Sequence, residues 1–160
     1  MNKSLIRQGV LAQLNEELSA AQAAVRSAHE AATHEDSVAE NKYDTFGLEA
    51  AYLAHGQAMR VQEIEQAILA WRNLPLKESE PDSPVVLGSL VRLESRDGLC
   101  RQVFLGPDGA GIKVPVEGRD VVVITPRSPL GQKLIGKFEA DEITLAVHGA
   151  EQLFEIIEIL

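Results

Sequence analysis

Cysteine is almost missing from this chain. Cys100 stands alone among 160 residues, so an internal disulfide is excluded, and no CxxC pair exists on which a thiol-based zinc or redox motif could be built. Its place in an alternating segment makes it an expected strand residue and not a reactive thiol. Long apolar runs are missing too. No stretch of 18 apolar residues occurs and the N-terminal region lacks a signal-type segment, so no membrane association and a reducing, cytoplasmic location are expected. A basic block is the third absence. Residues 1–74 carry 6 Lys/Arg against 10 Asp/Glu and residues 75–160 carry 9 against 14, for a net charge of −9. Proteins that work by coating nucleic-acid phosphates need basic faces, so direct sequence-specific DNA binding is not expected, and any contact with nucleic acid would run through a partner.

The chain has an ordinary apolar content of 45%, enough for one domain or two small ones. In the first half, Leu11, Leu14, Leu18, Ala21, Val25, Ala28 and Ala32 follow at alternating spacings of three and four. Gly47, Ala50, Ala54, Gln57, Val61, Ile64, Ile68 and Trp71 repeat the pattern. Two a/d seams joined by a short polar segment predict an antiparallel coiled-coil hairpin over 1–74. Seam residues shrink toward the turn, so the rod should narrow there, and its length in helical rise is on the order of 40 Å. That shape suits insertion into a channel. A plain coiled coil serving as a spacer or dimer arm remains the alternative.

The turn itself, 34–44, is acidic and contains Glu35, Asp36, Glu40 and Asp44. Glu40 and Asp44 share a helical face if the second arm begins near Ala39, whereas Glu35 and Asp36 fall at the end of the first arm or on the turn. Carboxylates so close repel unless a cation stands between them, and one or two carboxylates are the usual protein share of a Mg²⁺ site completed by water and phosphate. The alternative is a solvated turn rich in helix-capping acids.

Residues 75–84 hold three prolines and several charges, which predicts a linker and a domain boundary. Beyond it the period shifts toward two. Strands are expected over 85–95, 99–105, 112–116, 121–125, 142–147 and 152–160, with Asp97-Gly98 as a hairpin turn. Ser128 and Pro129 open a short helix that Gly136 ends. The loop Gly106-Pro107-Asp108-Gly109-Ala110-Gly111 lacks the Lys-Ser/Thr of a phosphate loop and leads into a strand, so it is expected to be a connecting turn. His29, His34, His55 and His148 have no zinc-type spacing, although His34 lies beside Glu35 and Asp36. No nucleophile motif is visible, so the chain is not expected to be an enzyme on its own.

Over nearly its whole length the chain resembles the Gre family of bacterial transcript cleavage factors. The likeness is strongest in Ile124-Thr125-Pro126-Arg127-Ser128-Pro129-Leu130-Gly131-Gln132-Lys133-Leu134-Ile135-Gly136-Lys137, followed by Asp141-Glu142 and the closing Phe154-Glu155-Ile156-Ile157-Glu158-Ile159. Leu14-Asn15-Glu16-Glu17-Leu18 and Arg60-Val61-Gln62-Glu63-Ile64-Glu65 resemble the two hairpin arms. The resemblance implies an α+β chain: a hairpin over 1–74, a linker over 75–84, and over 85–160 a small FKBP-like antiparallel-sheet domain with one short helix. It also implies that RNA polymerase is the partner, entered through its secondary channel. The nascent RNA 3′ end would be reached only indirectly.

In that reading the tip residues Glu40, Asp44 and Asp36 act in the polymerase active centre. Glu40 and Asp44 would share a Mg²⁺ there, and the chain would have no cofactor of its own. The tip departs from the family pattern. Gre factors place Asp and Glu three apart with Asn after the Glu, whereas Asp36 and Glu40-Asn41 are four apart. Matching the second arm without gaps from Arg60 instead puts Glu40 on the family Asp and Tyr43-Asp44 on the Glu-Asn pair, and the first arm is about one turn shorter. A channel binder that modulates or inhibits polymerase without cleavage is therefore the alternative. An FKBP-like domain also raises prolyl isomerisation, for which Phe104, Phe138 and Phe154 are the available aromatics, each expected in the core. A hairpin adaptor for another partner is a third class.

Overall fold

The computed structural model describes residues 2–33 and 46–160. The acidic segment with Asp36, Glu40 and Asp44, and with it the expected start of the second arm, lies outside the described residues, as does the side chain of Ala32. The element order is α1 (Lys3–Thr33), α2 (Phe46–Asn73), β1 (Leu90–Ser95), β2 (Cys100–Leu105), β3 (Lys113–Val116), β4 (Arg119–Ile124), α3 (Pro129–Leu134), β5 (Glu142–Val147) and β6 (Ala150–Ile159). A helical pair followed by a six-stranded, mostly antiparallel sheet with one short helix is the architecture that the sequence patterning called for. Among the described residues no helix is long and apolar enough to cross a membrane. By contacts the chain forms two compact units, one of Gln13–Leu69 and one of Met1–Ala12 with Ala70–Leu160.

Within the helical unit the expected seam is present. Leu14, Ala21, Ala28, Ile64 and Ile68 are buried, and Leu18, Val25, Gly47, Ala50, Ala54, Gln57 and Val61 are half-buried. Outward positions between them are exposed. A period near 3.5 puts one stripe of each helix at the contact, and the rest of each helix faces water.

The sheet has the order β3-β4-β2-β1-β6-β5. β1 pairs antiparallel with β2 and β6, β5 with β6, and β3 with β4. The pair β2/β4 is parallel, with Gln102 opposite Val121 and Leu105 opposite Ile124. Hairpin signals specify only sequential neighbours, so a parallel pair that skips over β3 has no local signature. Side chains alternate between faces. One face carries Val91, Leu93, Val103, Leu105, Phe154 and Ile156, buried with Leu134 of α3 in a single apolar core. On the other, Phe104 stacks on Trp71, with ring centroids 5.5 Å apart. Ile6 and Val10, at the start of α1, are fully buried in this unit.

Two local expectations are corrected. Residues 85–89 are not strand. Gly88 takes φ +92°, the Val86 N–H donates to Ser89 Oγ, and Val85 exchanges backbone bonds with Lys137 and Gly136, so the ladder begins only at Leu90. Phe138 is not core. It is 46% exposed, whereas Phe104 and Phe154 are fully buried.

Candidate functional site

The acidic segment is flanked by arms whose chemistry can be described. On α1, His29 and Glu30 are exposed, and Thr33 Oγ1 donates to His29 O at 2.9 Å, which closes the last described turn. On α2, Leu48, Tyr52, Leu53 and Met59 are exposed, an unusual density of apolar surface beside an acidic sequence. Farther along the unit, Arg60 bridges the helices, its Nη2 lying 3.1 Å from Glu17 and its Nη1 3.4 Å from Glu63. Glu17, Arg60 and Glu63 sit in the very segments whose sequence resembles the two Gre arms. The Arg60–Glu17 pair joins α2 to α1 across the two helices.

The start of α1 is tied to the chain that leaves α2 by bonds without a local sequence signature. Arg7 Nη1 donates to Leu74 O at 3.1 Å, just past the end of α2, and Lys3 Nζ donates to Lys77 O at 2.6 Å. Two cations one turn apart on α1 thus satisfy carbonyls that the end of α2 and the proline-rich segment leave without helical partners. Trp71 is seated in the glycine-rich loop, its Nε1 donating to Asp108 O at 3.0 Å. A Cβ on Gly106 would collide with the Trp71 indole, so only glycine fits there. The loop is therefore a socket for an aromatic ring, which accounts for its composition without a phosphate.

The segment that carries the strongest family resemblance is built as the sequence indicates. Ser128 caps α3, its Oγ accepting from Gly131 N at 3.2 Å and donating to Thr125 O at 2.7 Å, and Pro129 opens the helix. Gly131 is required by contact: a Cβ there would overlap the Thr125 carbonyl. Beside this turn the backbone bonds between Val85 and the 136–137 pair bring together Val86, Leu87, Ile135 and Phe138, all of them exposed. With Phe104 and Phe154 consumed by the core, Phe138 is left as the one surface phenylalanine of this unit among the described residues, a poor basis for an aromatic-lined isomerase pocket.

Acidic side chains also meet on the sheet. Glu155 is the direct cross-strand partner of both Glu94 and Glu142, so three carboxylates cross three strands in a row. Among the described residues, however, no group of histidine, cysteine, aspartate or glutamate is arranged to hold a metal ion. Cys100 is exposed at the start of β2 and His148 occupies a turn with φ +50°. Cys100 Sγ donates to Glu94 Oε2 at 3.6 Å, and among the described residues neither Cys100 nor His148 meets the other.

No protein-family profile matches the chain. It is 31% identical over 99 residues to the transcription elongation factor GreA of Vibrio cholerae, a stretch that covers 61% of this chain and 59% of that protein. To the GreA of Chlorobaculum tepidum it is 28% identical over 132 residues, covering 81% and 76%. The first of these matches spans about three fifths of the relative's length. Among solved structures, the GreA factor homolog 1 (Gfh1) of Thermus thermophilus aligns over 94% of both chains with 20% identity and a TM-score of 0.40. To the GreA of Desulfovibrio desulfuricans the chain is 31% identical over 116 residues, covering 71% of this chain and 67% of that one, and with this match the chain belongs to the Gre family of transcription elongation factors.

Proposed function

We propose that this chain binds bacterial RNA polymerase in the cytoplasm, passes its helical pair into the secondary channel, and stimulates the polymerase to cut the 3′ end of a backtracked transcript. The observation that carries this reading is the position of the acidic segment between two helices with a continuous seam, in a chain of the Gre family. In this mechanism the chain supplies carboxylates and positioning, and the polymerase supplies the active centre. Glu40 and Asp44 are the residues that would share a Mg²⁺ with the polymerase, and Asp36 is the next in line. Held by these carboxylates together with the polymerase, such an ion would supply one half of two-metal chemistry, in which one ion activates the attacking oxygen and the other stabilises the leaving one. The work of the chain's own residues is to bring negative charge to a confined place. The small seam residues Ala21 and Ala28 allow close helix approach, and the Arg60 to Glu17 pair holds the register.

The second reading rests on one observation. Asp36 and Glu40 are four residues apart where the family pattern has three, and one residue of offset turns a helical side chain by about 100°. A chain with displaced carboxylates would occupy the channel and slow the polymerase without cleavage. A transcript-cleavage assay on stalled polymerase decides between them. The expected result is faster shortening of the RNA than polymerase alone gives, lost on replacing both Glu40→Ala and Asp44→Ala while polymerase binding persists. Binding without added cleavage leaves the second reading standing. No binding at all removes both.

A further inference from the structure

The sheet unit contains a cavity of about 740 Å³ at the start of α1, walled by Lys3, Ser4, Lys77, Glu78 and Ser79 among others. Lys3 is 9% exposed overall, which is rare for lysine, and its one recorded bond is the 2.6 Å donation from Nζ to Lys77 O. An amine that gives one N–H to a carbonyl keeps its lone pair for another direction. Here the cavity offers that direction. Lys77 and the hydroxyls of Ser4 and Ser79 make one part of the wall hospitable to an anion, while Glu78 and Leu160, whose carboxylate ends the described chain, make another part negative.

We propose that Lys3 is an acylation site, taking acyl groups from small activated donors of the acyl-phosphate class. In the step, the neutral amine attacks the acyl carbon and forms the C–N bond. The C–O bond to phosphate breaks, the phosphate leaves with the electron pair, and the amine's surplus proton passes to phosphate or water. Burial pushes the Lys3 amine below the ordinary lysine value of 10.5, and the Glu78 charge acts in the opposite sense, so the neutral nucleophile is more populated here than in a free lysine. The product amide retains one N–H, which can go on donating to Lys77 O. What acylation removes is the positive charge beside Glu78.

The test treats the folded full chain with acetyl phosphate at neutral pH and follows each lysine by residue-resolved mass spectrometry. Lys3 should acylate about twofold or more faster than the exposed Lys137, and the excess should vanish in denaturant. Glu78→Gln, a change at an exposed position, should accelerate Lys3 further because it removes the charge that retains the proton. A Lys3 rate at or below that of Lys137 in the folded chain overturns the proposal, as does a Glu78→Gln variant that leaves the Lys3 rate unchanged.

Discussion

The two compact units bury their apolar side chains on different terms. In the sheet unit the largest fully buried residues are Trp71, Phe104 and Phe154, and two faces of one sheet each carry a packed layer. In the helical unit, burial is confined to one seam whose buried members are Leu14, Ala21, Ala28, Ile64, Ala67 and Ile68. Half of those are alanine. A two-helix element has a single contact line, so each residue added to its length contributes little burial, and its local stability should fall below that of the sheet. The sheet unit, by contrast, buries Ile6, Val10 and Trp71 completely, so the start of α1 and the end of α2 belong to its core.

The largest expected effect is on that core. Trp71→Ala removes the ring from the Gly106 socket and from Phe104, at a cost of about 3–5 kcal/mol, and thermal unfolding should report it directly. Ile64→Ala in the helical seam should cost somewhat less, about 2–4 kcal/mol, and hydrogen exchange should localise the loss to α1 and α2 while β1 and β2 keep their protection. Equal loss of protection in both units would mean that they unfold as one, and the comparison would fail. Gly106→Ala sharpens it from the other side. The added methyl collides with Trp71, and overpacking of about 1–3 kcal/mol should appear in the sheet unit without touching α1 and α2 between Gln13 and Leu69.

Much of this architecture was legible because it follows from periodicity. The heptad spacing from Leu11 onward and from Gly47 onward needs only local counting, and the capped turn at Ser128-Pro129 needs only four residues. What escaped depends on distant partners. Ile6 and Val10 extend the apolar face of α1 backward, but their burial is created by the sheet unit. The glycine-rich loop was legible as a turn, and its role as a socket was not, since Trp71 lies 37 residues before Asp108. Residues 85–89 alternate like a strand, yet Gly88 and the bonds to 136–137 turn them aside. Of the site, the acidic composition between the arms could be read directly. The lysine and arginine that grip the end of α2 could not, because a terminal Lys3 or Arg7 has the sequence appearance of a solvated charge.

The smallest expected effect concerns Arg60, and it separates stability from positioning. Its contacts with Glu17 and Glu63 are exposed, with the arginine side chain at 53% and the glutamates at 44% and 63%, so solvent screens them. Exposed pairs of this kind contribute about 0.2–1 kcal/mol, and the part owed to charge should fade at high salt. Arg60→Ala should therefore barely move the thermal transition. If the pair matters through register and the proposed cleavage function holds, the variant should still lower transcript cleavage per bound factor. Restoring a cation by Arg60→Lys should recover part of the activity. A variant that loses neither stability nor cleavage would show that the seam alone sets the register, and that the arms' likeness to the family lies in their sequence and not in this contact.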